Sequence, residues 1–167
     1  MELNKCLGCM ENYQGTPCPH CGYDPNRVKG QEYTLPPQTI LAGKYLVGRM
    51  LGQGGFGITY IGWDIALEKK VAVKEYYPSG QVGRTPGTNA LSWYTSESAA
   101  LARQTGLEMF LKEARKMSKV DDVSGIVRVR DLFQENQTAY IVMDYVEGET
   151  LKARLQKTGP MAWDQAK

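Results

Sequence analysis

Leu51-Gly52-Gln53-Gly54-Gly55-Phe56-Gly57, followed by Val71-Ala72-Val73-Lys74, is the stretch that decides the fold. A lone Gly-x-Gly-x-x-Gly says little, so the flanking residues carry the reading. Tyr45 to Leu51 before it and Ile58 to Trp63 after it are strand-like runs rich in β-branched and aromatic residues. A strand–glycine turn–strand hairpin is not a dinucleotide fingerprint, which needs a helix to open directly after the glycines. Such a hairpin can lie as a flap over phosphates, because glycine offers backbone N–H groups without side-chain bulk. A third strand then delivers Lys74, whose ammonium is the natural partner for those phosphates.

Further along, Leu107, Phe110, Leu111, Ala114 and Met117 recur at helical spacing, which predicts a helix from about Leu107 to Lys119. Glu113 sits at the margin of that apolar stripe, where a carboxylate needs a partner, and Lys74 is the obvious one. Two more strand-like runs follow, Ile126 to Arg130 and Ala139 to Met143, separated by the polar turn Gln134 to Gln137.

In this order these elements resemble the start of a eukaryotic-like (Hanks-type) serine/threonine protein kinase domain of the bacterial kind. The resemblance implies that Leu51, Gly52, Gly54 and Gly57 cover ATP, and that Thr59 and Ala72 pack on its adenine. It also implies that Lys74, braced by Glu113, meets the α- and β-phosphates. Met143 matches the gatekeeper, and Asp144 to Val146 match the hinge, where the backbone C=O of Asp144 and the N–H and C=O of Val146 would read the adenine edge. One departure is Thr59, which stands where the family usually has valine; its methyl still packs, but its hydroxyl asks for a partner.

The resemblance extends over the small lobe, the hinge and the first helix of the large lobe. The chain contains no His-Arg-Asp and no Asp-Phe-Gly, and its single histidine, His20, lies far upstream. No catalytic residue is therefore assigned, the magnesium ligands that ATP requires are missing from the chain, and inactivity alone is expected. The fold expected is α+β: a kinase small lobe of five antiparallel strands and a long helix, truncated at the start of the large lobe and preceded by a rubredoxin-like zinc ribbon. The corresponding division is a ribbon at 1–24, a linker at 25–39 and an incomplete kinase domain at 40–167.

All four cysteines fall in the ribbon, as Cys6-Leu7-Gly8-Cys9 and Cys18-Pro19-His20-Cys21. Two Cys-x-x-Cys knuckles point four thiolates at one centre, which reads as a structural zinc site. Iron suits the same four ligands. Paired disulfides would fit a secreted chain, but no signal segment follows Met1, and a redox Cys-x-x-Cys would need a βαβ context that is absent. So short a segment has no core of its own, so metal would supply its folding energy. Acids and bases nearly balance across residues 1–30, with no basic stripe, which argues against nucleic acid as a partner.

Hydrophobic content of 42%, charged content of 23% and a net charge of +2 are ordinary for a globular chain and point to neither a polyanion nor a membrane surface. No apolar run reaches the roughly 18 residues that span a bilayer. A cytoplasmic location is expected, with a membrane segment beyond Lys167 left open. The stretch from Asp24 to Gln38 reads as a semi-rigid, proline-containing tether. Pro78 to Gly106 is long for a connection inside a compact lobe, and Ser96 to Arg103 within it is expected to form a short extra helix. This insertion is expected to control how the Glu113 helix seats against Lys74. The function expected is the ATP-binding part of a kinase that transfers the γ-phosphate to protein serine or threonine hydroxyls. The alternative is a non-catalytic, pseudokinase-like or adaptor module that binds a protein through ribbon and lobe.

Overall fold

The computed structural model describes residues 4–13, 15–27, 33–85, 87–121 and 123–160. Its centre is a six-stranded antiparallel sheet in the order β1-β2-β3-β4-β8-β7. The strands are β1 (Ile40–Leu41), β2 (Tyr45–Gly54), β3 (Gly57–Asp64), β4 (Lys69–Tyr76), β7 (Val129–Glu135) and β8 (Thr138–Asp144). Five of these are the expected strands; β1 adds a short sixth at the edge, pairing Ile40 with Leu46 and Leu41 with Tyr45. β7 begins later than expected, at Val129, and takes in Gln134 and Glu135, which had read as turn. It is an edge strand, so polar side chains can face water without leaving the ladder. The turn is reduced to Asn136 and Gln137, both at positive φ (55° and 64°), which suits a two-residue hairpin.

Side chains alternate across each strand, so the sheet has two distinct faces. One carries Tyr45, Val47, Ile58, Tyr60, Val71, Val73, Tyr140 and Val142. It is covered by Leu35, by Tyr77, and by Val82 and Leu91 of a hairpin made of β5 (Val82–Arg84) and β6 (Leu91–Trp93). The insertion is thus a roof on the sheet. The region read as a tether also joins this roof where it is described: Leu35 is buried, and its N–H donates to the Tyr60 hydroxyl at 3.1 Å. Beneath the roof Arg84 and Glu75 form an ion pair, with side chains 1% and 0% exposed. The hydroxyls of Tyr60 (2.9 Å) and Tyr140 (3.1 Å) donate to the same carboxylate. Burial pushes the Glu75 carboxyl up, against the opposing pull of the Arg84 guanidinium.

The other face packs Tyr76, Ala139 and Ile141 against Phe110, Leu111 and Ala114 of α2 (Leu107–Met117). The expected extra helix is present as α1 (Glu97–Leu101), capped by Ser96, whose Oγ accepts from the Ala99 N–H at 3.1 Å. A π-helical turn, Ala102–Gly106, runs from α1 straight into α2. It is pinned to the sheet by Tyr76, whose hydroxyl donates to the Ala102 carbonyl at 2.8 Å. Gly106 is needed there, since a Cβ would lie 2.1 Å from that hydroxyl oxygen. A last helix, α3 (Leu151–Thr158), follows β8. Residues 161–167, the final part of the expected large-lobe start, lie outside the described residues. No helix among those described is long and apolar enough to cross a membrane.

Candidate nucleotide and metal sites

The glycine hairpin forms as the sequence predicts. Gly54 pairs with Gly57 and Gly52 with Thr59, and Thr59 in turn sits opposite Lys74. Gly52, Gly54, Gly57, Thr59 and Lys74 therefore line one open cleft of about 400 Å3, with Phe56 at its rim, 76% exposed. A Cβ built on Gly52, Gly54 or Gly55 meets nothing within 4 Å. Packing within the chain does not demand glycine at these three positions, whereas a phosphate cradle does. Gly57 differs: a Cβ there would stand 2.5 Å from the Glu75 carbonyl oxygen, so the close approach of β3 to β4 demands glycine there as well. Leu51 lies just before the loop and is 37% exposed.

Lys74 and Glu113 line a second, larger cleft of about 600 Å3 together with Phe56, Tyr76, Met109 and Phe110. The expected ion pair between them is not formed. Lys74 Nζ lies 5.6 Å from the Phe110 ring centroid, and Glu113 is exposed on α2. Among the described residues Lys74 has no carboxylate partner.

On the far side of Lys74, Ala72 is paired with Met143, and Val71 with Asp144. This places the gatekeeper-like methionine and the hinge-like segment at the end of the face that carries Thr59 and Lys74. The Asp144 side chain turns to the opposite face, where Arg130 grips both its oxygens (Nε to Oδ1 2.7 Å, NH2 to Oδ2 2.6 Å) and Lys69 stands 3.6 Å away. The Arg130 hydrogen bonds hold this carboxyl below its ordinary range. Only the backbone of Asp144 is thus left to read a ligand. Val146 is 66% exposed.

The sequence matches the protein kinase domain over residues 45–167. The chain belongs to the protein kinase family. Among the relatives of this kinase chain, the serine/threonine-protein kinase PrkC of Bacillus subtilis is 32% identical over 121 residues, which are 72% of this chain and 15% of PrkC. The serine/threonine-protein kinase pkn2 of Myxococcus xanthus is 33% identical over 127 residues, 75% of this chain and 12% of pkn2. The chain thus spans about a seventh or less of these two relatives. A solved structure titled PpkA-294 apo form superimposes with a TM-score of 0.67 at 31% identity, covering 75% of this chain and 43% of that one. The kinase domain of Mycobacterium tuberculosis PknI, at 20% identity and a TM-score of 0.52, shares the fold. The described residues of the kinase domain form its small lobe and the approach to the large one.

The four cysteines converge. Their sulfur atoms all lie within 4.8 Å of one another, with Cys6–Cys21 at 3.7 Å and Cys9–Cys18 at 3.9 Å. A tetrahedron of thiolates about 2.3 Å from a metal has edges of about 3.8 Å, so the set fits a metal ion. Disulfides would need sulfurs about 2 Å apart, and all four thiols are free. The Gly8 N–H donates to Cys6 Sγ at 3.3 Å, and a Cβ on Gly8 would crowd Tyr23 at 2.4 Å, which explains glycine inside this knuckle.

Four side chains that tie the structure together escaped sequence reading: Glu75 and Arg84 under the roof, and Arg49 and Lys70, which bond to the ribbon. Only Glu75 left a signal, as an acid in register with Val71 and Val73 on the buried face of β4.

Proposed function

We propose that this chain is the ATP-binding part of a serine/threonine protein kinase. The observation that carries the reading is the cross-strand register Gly52–Thr59–Lys74, which sets backbone N–H groups and one ammonium around a single cleft. Gly52, Gly54 and Gly57 would cover the phosphates, Thr59 and Ala72 the adenine, and the backbone of Asp144 and Val146 its hydrogen-bonding edge. Lys74 would neutralise the α- and β-phosphates once α2 brings Glu113 inward to brace it. Mg2+, entering with ATP, would neutralise developing charge on the phosphates; no residue of this chain is assigned to hold it. A general base for the substrate hydroxyl must likewise come from outside these residues, so the chain alone binds nucleotide without transferring phosphate. The cysteine cluster would hold a structural Zn2+, because four thiolates fill a tetrahedron and leave no open position. A cytoplasmic location fits free thiols.

The unformed Lys74–Glu113 pair favours a second reading, a non-catalytic module that uses ribbon and lobe to bind a protein. ATP titration of the wild-type chain and of Lys74→Met separates the two. The kinase reading expects binding that weakens roughly 10- to 100-fold in the variant, the worth of one lost charge-assisted hydrogen-bond set. Equal binding by both proteins, or none by either, favours the adaptor.

A further inference from the structure

The ribbon does not hang from the lobe. Its first knuckle is seated on the sheet, on the same face as the nucleotide-lining residues. Along β3, Thr59, Ile61 and Trp63 share one face, and Ile61 stands opposite Ala72 in β4. Met10, the residue after Cys9, is fully buried against Leu46 and Ile61, with Leu7, Trp63 and Tyr145 packed around it. Directly opposed cross-strand side chains have Cβ atoms about 4.5–5.5 Å apart, so the Ile61 side chain under Met10 is the immediate neighbour of Ala72. Tyr145 is the hinge residue between Asp144 and Val146. The ribbon therefore touches both the sheet wall and the hinge end of the adenine site.

The grip on the knuckle itself is polar. The register of β2 against β3 breaks between Val47 and Met50, which frees the Arg49 N–H from the ladder. That N–H donates to the Leu7 carbonyl at 2.7 Å, and the Arg49 Nε donates to the Gly8 carbonyl at 2.8 Å. Leu7 and Gly8 are the two residues between the ligand cysteines Cys6 and Cys9. Lys70 completes the clasp, bonded both to Glu11 of the ribbon (2.6 Å) and to Glu147 beyond the hinge (2.9 Å). Gly48 lets the two parts close, since a Cβ there would stand 2.3 Å from the Leu7 oxygen and 2.3 Å from the Met10 methyl.

We propose that the first cysteine knuckle is the outer wall of the adenine site and a latch on the hinge, so that metal in the ribbon tightens nucleotide binding through Met10, Arg49 and Lys70. The proposal rests on reading the cysteine cluster as a metal site and the glycine cleft as a nucleotide site. A knuckle organised by metal presents the Leu7 and Gly8 carbonyls together; without metal those acceptors scatter and Met10 loses its seat.

The test uses the whole chain in three forms: metal-loaded, chelated, and Gly48→Val with metal bound. A gentler double variant, Glu11→Gln with Arg49→Gln, removes the side-chain bonds of the clasp to Gly8 and Lys70 and leaves the Arg49 N–H bond to Leu7, the cysteines and the sheet packing in place. Metal content, amide NMR shifts of Tyr145, Val146 and Glu147, and affinities for ATP and for tripolyphosphate are measured on each. The expected result is that chelation and Gly48→Val displace the same hinge amides and weaken ATP binding about tenfold, with tripolyphosphate unchanged. The double variant should move in the same direction by a smaller factor. Hinge amides that stay at their wild-type shifts in Gly48→Val and in the double variant overturn the proposal. So does a parallel loss of ATP and tripolyphosphate, which marks general unfolding instead of a wall. Wild-type protein that takes up no metal defeats the metal reading, and the Gly48→Val amide shifts then decide whether the knuckle supports the hinge. Wild-type protein that ignores ATP defeats the nucleotide reading, and the same shifts decide the latch.

Discussion

Removing Arg84 should destabilise the lobe out of proportion to its place in an insertion. Its guanidinium faces Glu75 in the dry space between the roof and the sheet, where neither side chain exceeds 1% exposure. Arg84→Met keeps most of the side-chain volume and leaves a carboxylate with two phenol donors and no counter-charge. Breaking one partner of such a pair costs about 3–5 kcal/mol. The lower end is expected, because Nε and NH1 of Arg84 already lack partners and their removal relieves part of the cost. Against a total stability of about 5–15 kcal/mol this is a large share. At about 2–4 °C per kcal/mol for a chain of this size, a loss of about 3 kcal/mol should lower the melting point by roughly 6–12 °C. The double variant Glu75→Leu/Arg84→Met removes the stranded charge. It should lie within about 2 kcal/mol of wild type, the residual loss coming from two tyrosine hydroxyls deprived of an acceptor at about 1 kcal/mol each. Urea unfolding of the metal-loaded chain for both single variants and the double completes a mutant cycle. Single variants within about 1 kcal/mol of wild type, or a double variant equal to the sum of the singles, would show that the pair is not the buried anchor described above.

Three further outcomes follow from the same geometry. Gly57→Ala should cost about 1–3 kcal/mol of stability because its methyl meets the Glu75 carbonyl, while Gly54→Ala should leave stability unchanged and weaken ATP binding; equal melting points for the two variants would contradict the division of roles within the loop. Titration with Co2+ should give one tetrahedral, sulfur-ligated ion per chain by its visible spectrum, and Cys9→Ser should abolish that spectrum; a spectrum retained in Cys9→Ser would remove Cys9 from the ligand set. The Asp144 carboxyl is held low by Arg130, so its contribution to stability is present above the unfolded value near 4 and fades as pH falls through its folded value. The melting-point gap between wild type and Asp144→Asn should therefore be constant between about pH 5 and pH 8 and shrink below about pH 4; a gap that widens on acidification would reverse the sign.

Much of this was legible in the residues, and the reasons are local. The glycine hairpin, Lys74 on the third strand and the apolar stripe of α2 are short-range patterns, and the two Cys-x-x-Cys pairs fix four thiolates with no help from the rest of the chain. What the sequence hid depends on contacts distant along it. The unbroken apolar run Ala139 to Met143 of β8 is the pattern of a strand covered on both faces, yet nothing in the polar stretch from Pro78 to Gly106 announced that it supplies the second cover. The Lys74–Glu113 pair is a matter of conformation: both residues reach the same cleft, but whether they meet depends on how α2 is seated. Arg49 and Met10 carry no local signal, because their partners lie about forty residues away across the ribbon interface.

The most direct test of the central claim is an amide NMR titration of the whole metal-loaded chain with ATP and Mg2+. The account predicts the largest shifts at Gly52 to Gly57, at Lys74 and at Asp144 to Val146, with the shifts lost in Lys74→Met. Shifts confined to other surfaces, or a spectrum unchanged at saturating ATP, would contradict it.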